Sequence, residues 1–342
     1  MDFPDIKPDN IRAALLSQSG DIYNNSDADR FLLSTDIYKH TGARFLCWMI
    51  KMHIIPPFRS RWLSAFKDLY DRYIRLLINV LPNNFTSPLS ILPTQTKTIV
   101  EGDTVRTIIW FKRLTDEMGI QPHYLDDAKV RAQRIITLIN HENQDLSYTQ
   151  GNDRFVWVSY LVSLFFSTRG GLNRSFAEAM AFYLSQVWIS HLQVGRNIEN
   201  MPFLESHFSK LDILLEREEP EIASLLTQCN HHALQYAMKW ELTFFADEHN
   251  AHDLLLIWDY IVQHMEKVND YVRCLSVAHI RQVPIPQMAD EMAMSIQRNR
   301  NWDVQKIVRD SVEIMDEQNE DICCGGCLKI VLNFLNGNSS RI

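Results

Sequence analysis

Apolar side chains recur at intervals of three and four along most of this chain, and that spacing limits the available folds more than any other feature. Trp62, Phe66, Leu69, Tyr70, Tyr73 and Leu77 lay one stripe along a helix. The spacing returns at Ala132, Ile135, Ile136 and Ile139, at Ile222, Leu225, Leu226 and Cys229, and from Leu254 to Ile261. It appears last at Val304, Ile307, Val308, Val312 and Met315. Alternating, strand-like runs are scarce, and no succession of βαβ units is visible. Glycine points the same way. The chain has 11 glycines in 342 residues, less than half of the average usage of roughly 7%, too few for turn-dense sandwiches or propellers. The expectation is an all-α, multi-helix array of about twelve to sixteen helices with no significant β-sheet.

Three segments are expected. Residues 1–36 mix Asp, Asn and Ser with short apolar groups and read as a loosely ordered lead-in. Residues 37–315 hold the helical body, and 316–342 form a C-terminal helix and tail. The body is interrupted between Pro82 and Gln95, where three prolines among Asn, Ser and Thr predict a loop. The longest apolar stretch, Phe155 to Phe166, is twelve residues; a bilayer span needs about 20, so a buried core helix is expected and no transmembrane segment. The first residues lack the basic and apolar regions of a secretory signal. Cysteines 47, 229 and 274 are scattered, and Cys323, Cys324 and Cys327 cluster near the end without a second pair to complete a zinc site. Reduced thiols in the cytoplasm and no metal site are the resulting expectations; lipidation is the other chemistry open to the clustered cysteines. A net charge of −8 argues against a nucleic-acid partner, because phosphate neutralisation needs a basic face.

Five short patterns stand out: Arg44-x-x-x-Trp48, Val100-x-x-Asp103-x-x-Arg106-Thr107, Tyr148-x-Gln150-Gly151, Trp240-x-x-x-Phe244 and Ile257-Trp258-Asp259. Asp103, after Gly102 and before an apolar run, is expected to cap a helix N-terminus and to brace Arg106 in the first turn. A cation there opposes the helix dipole at a cost of about 0.3 to 1 kcal/mol, which suits a group that meets an incoming anion. The plainer alternative is an exposed arginine in a weak ion pair with Asp103. Gln150 lies in a loop feeding the apolar helix near Arg154; Gly151 permits positive φ, and Asn152 or Asp153 is expected to cap that helix. A glutamine so held suits the orientation of a water, or simply a turn that bonds local backbone. Tyr148 is expected to fix this loop. Arg44, Trp48, Trp240, Phe244 and Trp258 read as core, with Asp259 capping a helix or paired internally.

In this order and at these separations the patterns resemble the TBC domain, the family of GTPase-activating proteins for Rab GTPases. The resemblance covers roughly residues 40–315 and implies an all-helical fold. It also implies that Arg106 serves as an arginine finger and Gln150 as a glutamine finger. Asp103, Thr107, Tyr148 and Gly151 would support them, and Arg44, Trp48, Trp240, Trp258 and Asp259 would act as scaffold. The implied partner is a Rab-type GTPase in its GTP-bound state. GTP and Mg²⁺ would be carried by that partner, so the chain needs no cofactor of its own. A cytoplasmic protein in peripheral contact with endomembranes is the implied setting. The second reading is a catalytically weak or inactive binding module of the same fold, an effector or scaffold. The chain departs from the family pattern at Val100, where isoleucine is usual. Ile108-Ile109-Trp110 stands where a proline is usual, and Asn152 where methionine is usual. Met49 to Pro57 replaces a Leu-Leu-Gly.

Overall fold

The computed structural model describes residues 6–34, 41–143 and 148–318. Among them every regular element is helical and no strand occurs. The α-helices are α1 Pro8–Gln18, α2 Asn25–Leu32, α3 Thr41–Lys51, α4 Trp62–Val80, α5 Thr94–Glu117, α6 Ala128–Glu142, α7 Asn152–Arg169 and α8 Arg174–His191. They continue with α9 Gln193–Arg196, α10 Met201–Glu218, α11 Pro220–Gln228, α12 Ala233–Thr243, α13 Ala251–Gln263, α14 Val268–Ile280 and α15 Met292–Arg298. A last helix, α16, runs through 304–318. The six residues of the predicted stripe in α4 are its six buried residues, and the helix stops at Val80, before Pro82. No described helix is long and apolar enough to cross a membrane. Cys323, Cys324, Cys327 and most of the predicted C-terminal segment lie outside the described residues.

The chain divides into two compact units, Met1–Leu204 with Met238–Val268, and Glu205–Ala237 with Asn269–Ile342. In the first, α7 is the axis. It is buried from Asn152 to Ser167 apart from Arg154, and it packs against α1, α3, α5, α6 and α8. A helix that is apolar all round has to be enclosed on every side. Around its start Trp48, Phe155, Trp188, Phe244 and Trp258 form an aromatic cluster, with Trp188 and Trp258 centroids 4.6 Å apart and Phe155 and Trp258 5.4 Å apart. Asp259 sits against this cluster with no exposed surface. Its carboxylate accepts from Arg44 Nε at 2.9 Å and from Trp48 Nε1 at 2.7 Å. One buried acid thereby ties α3 to α13, and the internal pairing of Asp259 is the alternative adopted. Burial pushes its carboxyl up to about 6 against the pull of Arg44.

A second buried acid, Glu178 on α8, accepts from Tyr73 Oη at 2.7 Å, Arg131 Nη1 at 2.5 Å and Arg134 Nε at 2.6 Å. It joins α4, α6 and α8 through charge-assisted bonds. Residues read from sequence as a loose lead-in include α1 and α2. Ile11, Ala14 and Leu32 have no exposed surface, α1 packs on α4 and α7, and Gln18 Nε2 donates to the Phe166 carbonyl at 2.7 Å. Their apolar stripes are short, so the sequence pattern there is faint.

In the second unit α11 packs against α15. Arg281 Nε donates to Glu219, and Arg281 Nη2 donates to Glu218 at 3.4 Å. Tyr271 and Ser311 share a hydroxyl bond of 2.9 Å. His279 is fully buried, its Nδ1 2.6 Å from the Leu275 carbonyl and its ring edge-on to Trp302.

Candidate functional site

Arg106 lies in the middle of α5, and here the structure corrects the sequence reading. The helix begins at Thr94, behind Pro93, rather than at Asp103. Gly102 does not start the helix; it is carried inside it at a cost of about 1 kcal/mol. Asp103 is therefore no N-cap, Arg106 is not in a first turn, and the argument from the helix dipole does not apply. A Cβ at 102 would sit 3.4 Å from Arg106 Nη1, an ordinary contact, and the guanidinium lies back over the preceding turn.

That position puts Arg106 Nη2 against Asp103 Oδ1, one turn earlier on the same helix. The two side chains differ sharply in exposure, 62% for Arg106 and 4% for Asp103. The other carboxylate oxygen, Oδ2, accepts from Tyr148 Oη at 2.9 Å. Burial lifts the Tyr148 phenol well above its ordinary pKa, and the carboxylates of Asp153 and Asp103 add to the lift. The hydroxyl stays protonated near neutral pH and donates to the carboxylate. Asp103 also serves through its carbonyl, which accepts from Thr107 Oγ1 at 2.9 Å, while the same Thr107 oxygen accepts from Trp157 Nε1 at 2.9 Å. These bonds pin the buried face of α5 to α7.

Tyr148 introduces the turn that presents Gln150. Its backbone N–H donates to Asn140 Oδ1 at 3.2 Å, and Thr149 Oγ1 donates to the Gly195 carbonyl at 3.0 Å. Gln150 is exposed at the turn. Gly151, at φ +103°, is the residue that caps α7, without a side-chain bond. Neither Asn152 nor Asp153 caps the helix as predicted; both lie within it and are buried. The positive φ favours glycine, and a Cβ at 151 would also sit 3.3 Å from Thr243 Cγ2, a tight contact. Burial raises the Asp153 carboxyl, against the pull of Arg154. Arg154 donates from Nε to Asp247 Oδ1 at 2.7 Å and stacks 4.8 Å from the Trp110 ring centroid.

Two exposed side chains, Arg106 and Gln150, thus come from elements joined by one buried carboxylate. A guanidinium there offers charge to an anion, and a carboxamide offers both a donor and an acceptor to water. The remaining motif residues do not reach this site. Arg44, Trp48, Trp240 and Trp258 are buried, and Trp258 Nε1 donates to the Phe244 carbonyl at 2.8 Å. Phe244 and Phe245 take positive φ values of 44° and 61° just past α12, a conformation that costs about 1 to 3 kcal/mol each and is held by its surroundings. Asn140, Gly195 and Trp157 were not singled out in sequence. They carry no motif, and only the fold brings them to the turn and to α5. Among the described residues, no cluster of three or more His, Cys, Asp or Glu could hold a metal ion.

The model of the Rab-GTPase-TBC domain matches residues 86–283, more than half of the chain. The matched segment includes Asp103, Arg106, Tyr148, Gln150 and Asp259. No curated protein sequence matches significantly. Among solved structures, the crystal structure of the Ypt/Rab-GAP domain of Gyp1p superposes with a TM-score of 0.65 at 14% identity, covering 91% of this chain and 98% of that one. That likeness establishes the all-helical fold, and the match of the family model decides the identity. The chain belongs to the Rab-GTPase-TBC domain family.

Proposed function

We propose that the chain accelerates GTP hydrolysis by a Rab-type GTPase, with Arg106 and Gln150 supplied in trans and the activity housed in residues 37–315. Phosphoryl transfer to water asks for neutralisation of charge spreading over the γ-phosphate and for a held nucleophile. Arg106 would neutralise charge between the β- and γ-phosphates as the bond to the bridging oxygen breaks. Gln150 would align the attacking water in place of the GTPase's own glutamine. The nucleotide and Mg²⁺ belong to the partner in this reading. Asp103, Tyr148, Thr107 and Gly151 are positioning residues.

The single observation that carries the proposal is the bridge from Arg106 through Asp103 to Tyr148, two residues before Gln150. The guanidinium is 62% exposed while its Asp103 partner is 4% exposed, so an incoming anion can reach the arginine while the carboxylate stays held by Tyr148. An arginine given in trans contributes about 10³ to 10⁵ in rate, or about 4 to 7 kcal/mol.

The test is single-turnover GTP hydrolysis by a panel of purified Rab GTPases with the unmodified chain, Arg106→Ala and Gln150→Ala. The expected result is acceleration by the unmodified chain, a loss of about 10³-fold or more for Arg106→Ala, and a smaller or comparable loss for Gln150→Ala. Binding of a GTP-loaded Rab without acceleration would replace this reading by that of a binding module.

A further inference from the structure

The exposed face of α5 that carries Arg106 is apolar as well as charged. The buried face consists of Val100, Asp103, Thr104, Thr107, Phe111, Leu114 and Thr115. On the opposite side Val105, Arg106, Ile109, Lys112 and Arg113 follow one another at helical spacing, and all five are exposed. Ile109 is 73% and Val105 49% exposed. They flank Arg106 one turn apart. Two such side chains beside Arg106 make an exposed apolar pair, and little of Ile109 is buried by the fold of its own chain.

Ile109 stands in the Ile108-Ile109-Trp110 stretch where a proline is usual, and α5 runs through it without a break to Glu117. A proline there would remove a backbone donor and kink the helix. The unbroken helix instead carries the ridge beyond Arg106 to Lys112 and Arg113. Arg113 is only loosely paired, 3.7 Å from Glu117. Arg106, Lys112 and Arg113 share this exposed side of α5 with the acids Glu101, Asp116 and Glu117, so its charge is mixed.

We propose that Val105 and Ile109 determine the affinity of this chain for its GTPase, whose matching surface is an apolar patch. The inference rests on the reading of Arg106 given above, because a partner whose phosphates reach Arg106 lies across the same helix face. The apolar pair supplies the desolvated centre of the contact, and the mixed charges around it, Lys112, Arg113 and Asp116 among them, supply its polar rim.

The experiment measures two quantities on the full chain with the same panel of Rab GTPases. One is the equilibrium affinity for each GTPase loaded with a nonhydrolysable GTP analogue. The other is the rate of GTP hydrolysis at saturating chain. Ile109→Ser and the pair V105S/I109S are expected to weaken binding by about tenfold and about a hundredfold, or about 1.4 and 2.8 kcal/mol, while the saturated rate stays within about twofold. Ile109→Leu is expected to retain wild-type affinity, which separates lost contact from lost fold. Affinity of Ile109→Ser within about twofold of wild type overturns the inference and leaves the role of Arg106 standing. A saturated rate that falls as far as the affinity also overturns it, as does failure of the chain to bind any GTP-loaded Rab. If the chain binds without accelerating hydrolysis and Ile109→Ser weakens that binding, the ridge holds and the catalytic reading fails.

Discussion

Replacing Tyr148 by phenylalanine removes one hydroxyl and leaves the ring. In the structure that hydroxyl donates to Asp103 Oδ2 at 2.9 Å, and the Asp103 side chain is 4% exposed. Water cannot readily replace the lost donor. A hydrogen bond to a charged group contributes about 1.5 to 3 kcal/mol, so a loss near about 2 kcal/mol is expected. The assay is urea unfolding followed by fluorescence, read as a lower midpoint at unchanged denaturant slope. A double-mutant cycle sharpens it. With Asp103→Asn the acceptor is neutral, and the same hydroxyl is worth about 1 kcal/mol. Tyr148→Phe should then cost about 1 kcal/mol less in the Asp103→Asn background than in the native one. A loss below about 0.5 kcal/mol, or an equal loss in both backgrounds, would refute the claim that a buried carboxylate binds the Gln150 turn to α5.

Gly151→Ala places a Cβ at φ +103° and 3.3 Å from Thr243; a destabilisation of about 1 to 2 kcal/mol is expected, with a fall in the chain's stimulation of Rab GTP hydrolysis beyond that of a remote mutant of equal stability. Glu178→Ala takes the carboxylate from buried Arg134 and leaves Arg131 with Asp127; it is expected to cost about 3 kcal/mol, read as a lower melting temperature. Burial lowers His279 to about 4 from an ordinary 6.5, so the unfolded chain takes up its proton first as pH falls. The stability this neutral ring provides is complete above about pH 6.5 and declines between there and pH 4 by about 3 kcal/mol. His279→Gln should flatten that slope in unfolding titrations across the interval.

The helical stripes were legible because they are local. Trp62 to Leu77 mark a buried face whatever the rest of the chain does, since a helix repeats every 3.6 residues. The same holds for α7, whose apolar run of twelve residues announces enclosure on all sides. Boundaries were less legible. Gly102-Asp103 looks like a helix start, yet tertiary burial of Val100 and Thr104 pays for a glycine in mid-helix and moves the start to Thr94. The helices α1 and α2 were missed because their few apolar groups reveal their partners only when α4, α7 and α3 are present.

For the candidate site, residue types and order were readable, as was the freedom of Gly151 to take a positive φ. What α5 and the Tyr148 turn do together was not. Asp103 and Tyr148 are 45 positions apart, and Asn140, Trp157 and Gly195 have no mark of their own. Sequence by itself determined which segments coil and which faces avoid water, because those follow from neighbours a few bonds away. Only the tertiary structure decided that one carboxylate, withdrawn from solvent, would hold an exposed guanidinium with one oxygen and anchor a distant turn with the other. Such a meeting depends on packing between remote segments, and no local pattern encodes it.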